Sequence, residues 1–333
     1  MNMTTAEIPK PEMGYNGFIQ FGVESSYGKA VTATRRLAYV RPTSPVESNS
    51  LDTERFLQVN GRDIPTPLMG NLDVAMSING RASELTLLKH VLGTVSSTTI
   101  APTFTHTLTP ANTVKSLTFY TGLDSTANKL RKISGCKVAR YTLSGSEGAP
   151  WTEKIDLLCS SPAYSTTVTS LSSTTVRPYE WFDSKFEWSY NGTTYTEIPQ
   201  VRAFEFVYDN DLGGERYLAS YSLVTKRCIN ACNEGVRAYG IRLTKDFVDE
   251  KEYKQFLGST TVTTPQLTPF AGKLRLTLSR AANDSAVLTI GALYINAPGW
   301  MNPDNAGPVQ YNLEMVGKTL TSIVITNTTA TYW

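Results

Sequence analysis

The chain has 333 residues, of which 41% are hydrophobic, enough to build the cores of two domains of ordinary size and to exclude disorder for most of its length. Lys plus Arg number 31 against 29 Asp plus Glu, a formal charge of +2, so there is no global electrostatic footprint for nucleic acid or an anionic membrane. The first residues lack the basic and apolar regions of a secretory signal, and no apolar run approaches the roughly 20 residues that a spanning helix needs, so a soluble protein is expected.

The first distinctive stretch is Gly22-Val23-Glu24-Ser25-Ser26-Tyr27-Gly28-Lys29-Ala30. It resembles a phosphate-binding loop only superficially, because five residues separate the glycines and Ala30 stands where a Ser or Thr would hold magnesium. Next comes Arg41 to Pro67, with four prolines, which reads as a long loop.

Residues 71-79 alternate cleanly. Leu72, Val74, Met76 and Ile78 point one way and Asn71, Asp73, Ser77 and Asn79 the other, the pattern of a strand with one packed and one polar face. A short helix is expected after it, opened by Ser83 as cap, carrying Leu85, Leu88 and Leu92 as its apolar stripe and ended by Gly93 in a left-handed conformation. Two β segments follow, 114-120 and 136-143, and a closing strand, 154-159. The Ser- and Thr-rich stretch 160-175 has the composition of a linker.

Asn191-Gly192, flanked by alternating aromatic and polar residues from Lys185 to Thr196, signals a tight hairpin. The motif of residues 70-93 then recurs: Gly235 to Leu243 is a strand, and Asp249 to Gly258 a short helix with Tyr253, Phe256 and Leu257 as its stripe. The offset is 165 residues throughout, from Gly70 to Gly235 and from Gly93 to Gly258. A weaker echo relates Asn49 and Leu51 to Asn210 and Leu212, 161 residues apart. After a second loop, Pro265 to Gly272, β segments are expected at 273-278 and 311-316, matched in order with 114-120 and 136-143, and a last strand at 321-326.

The fold class that follows is mainly β: two tandem, similar sandwich- or barrel-like domains, each with one short helix, over 1-165 and 176-333 with the linker at 160-175. A duplicated unit in one chain can supply two adjacent positions of a ring.

Catalytic raw material is thin. His90 and His106 are the only histidines, neither in a metalloprotease pattern or a triad context, and both read as ordinary surface or capping residues. Cys136, Cys159, Cys228 and Cys232 are too sparse for a disulfide scaffold, and Cys228 with Cys232 has no second ligand pair nearby to complete a metal site. No catalytic, cofactor-binding or metal-binding residue is therefore expected, and no cofactor. Three acceptor patterns for N-glycosylation, at Asn191, Asn283 and Asn327, are what chance gives in a chain so rich in Ser and Thr. Trp181, Trp188 and Tyr190 would suit a carbohydrate-binding sandwich, but aromatics beside a hairpin more often pack.

The Gly22 to Ala30 opening, the loop-rich stretch behind it, and the Gly70 strand with its helix ending at Gly93 resemble the tail tube proteins of tailed viruses of bacteria and archaea. The resemblance implies a structural virion protein, not an enzyme: a β-sandwich with a small helix, assembled in the host cytoplasm into rings that stack into the hollow tail tube through which the genome passes. Two halves per chain imply a trimeric ring with pseudo-sixfold symmetry, the alternative being a hexamer in which the second half decorates the outside; the equal offsets favour the trimer. The partners implied are other copies of the chain, the tape-measure, terminator and baseplate proteins, a sheath where the tail is contractile, and genomic DNA passing without specific contacts; no membrane binding is implied.

Under that reading Asn71, Asp73, Ser77 and Asn79 are candidates to face the lumen. Val46, Glu47, Asn49, Leu51, Arg62 and Ile64, in the long loop, are candidates for contact between rings. The rival class is another virion or cell-surface structural β-protein, such as a decoration, baseplate or surface-layer module.

Overall fold

The structure is a computed structural model that describes residues 17-42, 46-52, 68-122, 130-165, 169-173, 176-216, 227-300 and 309-329. In chain order it contains β1 (Phe18–Val23), β2 (Arg35–Arg36), β3 (Val40–Pro42), β4 (Val46–Asp52), β5 (Leu68–Arg81), α1 (Leu88–Leu92), β6 (Gly93–Ile100), β7 (Thr103–Pro110), β8 (Leu117–Gly122), β9 (Leu130–Ser146), β10 (Thr152–Cys159) and β11 (Ser161–Ser165). There follow β12 (Ser184–Ser189), β13 (Thr196–Glu197), β14 (Val201–Asp209), β15 (Leu212–Arg216), β16 (Ala231–Glu234), β17 (Ala238–Asp246), α2 (Lys251–Phe256), β18 (Gly272–Ala281), β19 (Asp284–Trp300) and β20 (Gln310–Asn327). The fold is mainly β, as expected, and every pairing between these strands is antiparallel.

The two parts of the chain repeat one pairing order. In the first, β2 pairs β1, then β8, β9, β10 and β5, which carries β3 and β4 along its other edge. In the second, β13 pairs β12, then β18, β19, β20, β17 and β14. The rungs correspond one to one: Val74 faces Cys159 as Tyr239 faces Gly317, and Arg81 faces Thr152 as Asp246 faces Gln310. Even the irregularity is shared. β9 passes from Arg140 to Val138 against β10 by skipping Ala139, and β19 passes from Ala297 to Ile295 against β20 by skipping Asn296. Positions that hold the same place in the two patterns are called twins below.

β5 shows why these strands form. Val74, Met76 and Ile78 are buried while Asn71, Asp73 and Asn79 are exposed, so one face enters the core and the other meets water. The twin strand β17 buries Tyr239, Ile241 and Leu243 in the same phase. Both helices end on a glycine at positive φ, Gly93 at 100° and Gly258 at 111°, a conformation that costs glycine no Cβ clash.

The helices begin later than the sequence suggests. Leu85 takes φ 53°, which no helix accommodates, so α1 starts at Leu88 and Ser83 caps nothing; α2 starts at Lys251, whose N–H donates to Asp249 Oδ1 at 3.1 Å. The Asn191 turn closes a hairpin between β12 and β13, but its loop runs from Tyr190 to Tyr195, with the Asn191 carboxamide oxygen accepting the N–H groups of Thr193 and Thr194. Within the expected linker, Ser161–Ser165 is strand β11, paired with the start of β9.

The second part required a larger correction. The twin of β9 is β19, a strand the sequence reading passed over, and 311-316 and 321-326 are one strand, β20. The twin of β10 is therefore the first half of β20.

One buried apolar cluster runs through both parts of the chain. At their junction Trp151 stacks on Trp181, centroids 5.6 Å apart, and packs against Phe186 and Phe204, while its indole N–H donates to Ser184 Oγ at 2.8 Å. Of the other two candidate sugar-binding aromatics, Trp188 is buried and Tyr190, half-buried, packs against it with centroids 6.2 Å apart. Both histidines are buried rather than superficial: His106 reaches Ser97, Asn327 and Thr329, and His90 packs edge-on to Phe21 beneath α1.

Burial, with Lys89 and Lys115 nearby, pushes the His90 imidazole down to about 3. Its unfolded value lies near ~6.5, so on acidification the unfolded chain takes up a proton that the folded one refuses, and stability falls with pH through that window. His90→Gln, which installs the residue found at the twin Gln255, should reduce the acid-induced drop in melting temperature by a few degrees between about pH 7 and pH 4. Equal drops in variant and wild type would remove His90 from the acid response.

Candidate assembly interface

Two features of the sheet stand out: where its strands are left bare, and what its polar face carries. β9 is longer than β8. The partner β8 covers its first part, from Leu130 to Cys136, and the rest of that edge, Arg140 to Ser146, is covered by β14 from the second part of the chain. The sheet thus runs without interruption through β4, β5, β10, β9, β14, β17, β20 and β19.

The same construction at the other end has no filler. β18 covers β19 only up to Leu293, and among the described residues no strand pairs with that edge from Tyr294 to Trp300. Among the described residues β4, the twin of the end of β14, likewise has a partner on one edge alone. The two bare edges are the twins of the two edges already joined.

The joined pair is held by more than ladder bonds. Asn210, 6% exposed, directly follows β14; its N–H donates to Ala139 O at 2.9 Å, and its side-chain amide donates to Val138 O at 2.9 Å and Val91 O at 3.1 Å. One asparagine therefore satisfies the bulge of β9 and the last turn of α1 together. Nearby, Lys137 Nζ donates to Cys232 O at 2.8 Å and pairs with Glu234 at 2.9 Å, while Glu234 also accepts the Val114 N–H at 2.9 Å. That contact holds the Glu234 carboxyl below the usual range despite its partial burial.

The opening motif seats this cluster. The buried Glu24 carboxylate accepts from Gly28 N, Ser116 Oγ, Thr118 Oγ1 and Gly135 N at 2.9, 2.6, 2.7 and 2.8 Å, fixing the turn that lays the Tyr27 ring 5.6 Å from Lys137 Nζ. The stretch that looked like a phosphate loop is a structural anchor.

The polar face of the sheet gathers the candidate lumen residues. Asn71, Asp73, Ser77 and Asn79 lie along one side of β5, with Ser77 half-buried and the others exposed. Across the ladder Asn79 faces Lys154, and Ser77 faces Asp156, which faces Arg140, which faces Asp209. In a second row Glu205 faces Arg242, which faces Glu314, with Arg242 3.4 Å from Glu205 and 3.3 Å from Glu314; Lys154 pairs with Asp156 at 3.2 Å. Each arginine in these rows has a carboxylate on either side.

Of the candidate ring-contact residues, Val46 and Glu47 are exposed on β4, and Asn49 and Leu51 continue that strand, opposite Leu72 and Met69. Arg62 and Ile64 lie outside the described residues. Sequence reasoning missed Asn210, Glu205, Arg242 and Glu314; only the Asn49 and Asn210 echo pointed towards any of them. A cavity of about 280 Å³ between the two parts holds Arg35 with Glu84 and Arg280 with Asp284, each pair in contact at 2.7 and 2.8 Å.

The two parts are joined at two strand pairings, β9 with β14 and β7 with β20, and among the described residues the outer edges of β4 and the end of β19 are bare, the architecture of a mainly β-protein with edges open to a partner. The model of the phage tail tube protein family matches residues 14–317, and the chain belongs to that family. No curated protein matches the sequence.

Asn210→Ala removes both amide bonds and leaves two buried carbonyls without a donor, a loss of about 2 kcal/mol. A denaturant titration should show the midpoint lowered accordingly. An unchanged midpoint would mean that this residue contributes nothing to joining the two parts.

Proposed function

We propose that the chain is a duplicated tail tube subunit, with units over 1-165 and 176-333, three copies of which close a ring with pseudo-sixfold symmetry. Such rings stack into the hollow tube that conducts the viral genome. The observation that carries this reading is the strand joint between β14 and β9, together with the bare twin edges on β4 and β19. A second copy placed as β14 is placed, but one step further round, brings β4 against Tyr294–Trp300. Three repeats of the eight-strand run would then close on themselves, and closure abolishes the exposed edges that invite uncontrolled aggregation.

The polar face supports the lumenal assignment of Asn71, Asp73, Ser77 and Asn79. A tube that conducts DNA must be wettable and must not hold phosphates. On this wall a phosphate competes for each arginine of the rows with the carboxylates that flank it. Other tail proteins, among them a tape measure, a terminator and a baseplate component, would meet the ends of the tube, and assembly in the host cytoplasm precedes attachment to the capsid.

Electron microscopy of the purified chain tests the ring. Closed threefold rings with six similar lobes, or tubes of them, are expected. Monomers, flat sheets or rings of six whole chains would overturn the trimer.

A further inference from the structure

The joint inside the chain specifies the joint between chains at single-residue resolution. Its receptor has three parts: the carbonyls of Val138 and Ala139 at the bulge of β9, and that of Val91 in the last turn of α1. All three recur in the second part of the chain. Ile295 is the twin of Val138, since they face Met315 and Leu157 at matching rungs; Asn296 is the skipped residue, like Ala139; and Phe256 precedes Gly258 as Val91 precedes Gly93. The donor recurs as well. Asn210 follows Asp209, which faces Ala238, and so stands at the rung of Arg237; the twin rung on β5 is Leu72, and the residue facing it is Asn49. Both positions are asparagine.

Exposure marks the second receptor as unfilled in the single chain. Val91 is 0% exposed and its carbonyl accepts from Asn210 of the second part of the chain, whereas its twin Phe256 is 41% exposed. Asn296 is exposed, whereas its twin Ala139 is half-buried. Phe256 thus leaves accessible, beside the bare edge of β19, a position that is sealed at its twin.

We infer that the partner is a second copy of this chain, and that Asn49 is the clasp: its backbone N–H donates to the neighbour's Asn296 carbonyl and its amide to the neighbour's Ile295 and Phe256 carbonyls, with β4 zipped along Tyr294–Trp300. This assignment rests on the ring reading above. It places Val46, Glu47 and Asn49 at the lateral joint within a ring, where their twins Val207, Tyr208 and Asn210 lie, rather than between rings. It also fixes the register, because Asp209 faces Arg140 inside the chain and Ser48 therefore faces the neighbour's Ala297.

The test uses the full chain in two experiments. Asn49→Ala and Asn49→Asp, the latter matching the shape but lacking the amide donors, should leave the circular dichroism melt of the monomer unchanged and raise the concentration needed for ring formation at least about tenfold, read by analytical ultracentrifugation. In the second, Ser48→Cys combined with Ala297→Cys is oxidised and run on a non-reducing gel; a ladder ending in a closed trimer is expected, with neither single variant cross-linking. If wild type forms rings while Asn49→Ala and Asn49→Asp assemble as it does, the clasp is overturned and the ring stands. If the double-cysteine variant cross-links into open or larger oligomers, the lateral contact stands and threefold closure falls.

Discussion

An antiparallel strand longer than its neighbour leaves a row of N–H and C=O groups that must be paired with protein or left to water. β9 extends from Leu130 to Ser146, while β8 and its short strand-mates account for only part of one edge. The main joint between the two parts follows from how the remainder is covered, and the pairing of β7 with β20 adds a second. β14 fills it, the chain between β9 and β14 is drawn across the junction, and Trp151, Trp181, Phe186 and Phe204 close over the seam. The bulge at Ala139 turns the strand at the boundary between the two coverings and frees a carbonyl that Asn210 then satisfies. Splitting the chain at the seam would expose both an unpaired edge and an aromatic cluster, so the two parts are mutually dependent although each repeats the other's pairing.

The seam also explains the different ways in which the two helices are held. Beneath α1 lie apolar side chains, Leu85, Leu88 and Leu92, with His90 kept neutral by burial. Beneath α2 lie Lys245 and Glu252 in a buried ion pair at 2.5 Å, with the Tyr190 hydroxyl donating to the same carboxylate at 2.9 Å. A buried pair of this kind adds little net stability but is costly to break, so it fixes position more than it adds energy. α1 is packed against β6, β7 and β9 and tied to the second part of the chain through Asn210. α2, whose outer face is bare in the single chain, is pinned from below.

How much of this the sequence disclosed depends on which force shapes each element. Where one face is buried and the other wet, alternation is legible, and 71-79 and its repeat at 235-243 were read correctly from Leu72 to Ile78 and from Tyr239 to Leu243. Glycines demanded by positive φ, Gly93 and Gly258, were equally legible, because no other residue suits them. β19 was hidden because Ala297-Pro298-Gly299 has the composition of a turn; proline is tolerated there on a strand with one edge free of a partner. The hairpin of β6 and β7 was hidden for another reason. Its strands are Thr- and Ser-rich and hold their place through His106 and the end of β20, contacts more than two hundred residues away in sequence. The polar wall was half visible: β5 showed its Asn and Asp, but the opposition of Arg242 to Glu205 and Glu314 depends on a register that no local pattern records.

The twins differ where a tether makes a difference. Within the chain the joint is intramolecular, and a tether of this kind supplies an effective concentration in the millimolar range, so a network of charged and polar groups can hold it. There Lys137 binds Glu234 and the Cys232 carbonyl, and the parallel contact of Leu72 with Cys228 adds backbone pairing. The twin of Lys137 is Tyr294, which carries no charge, and the twin of Val91 is the larger and exposed Phe256. A joint that has to form between separate molecules, in salt and without a tether, gains more from apolar area than from a screened ion pair. The substitutions run in the direction that the proposed joint between chains requires, and the asparagine of the inner joint, Asn210, recurs in the sequence at Asn49.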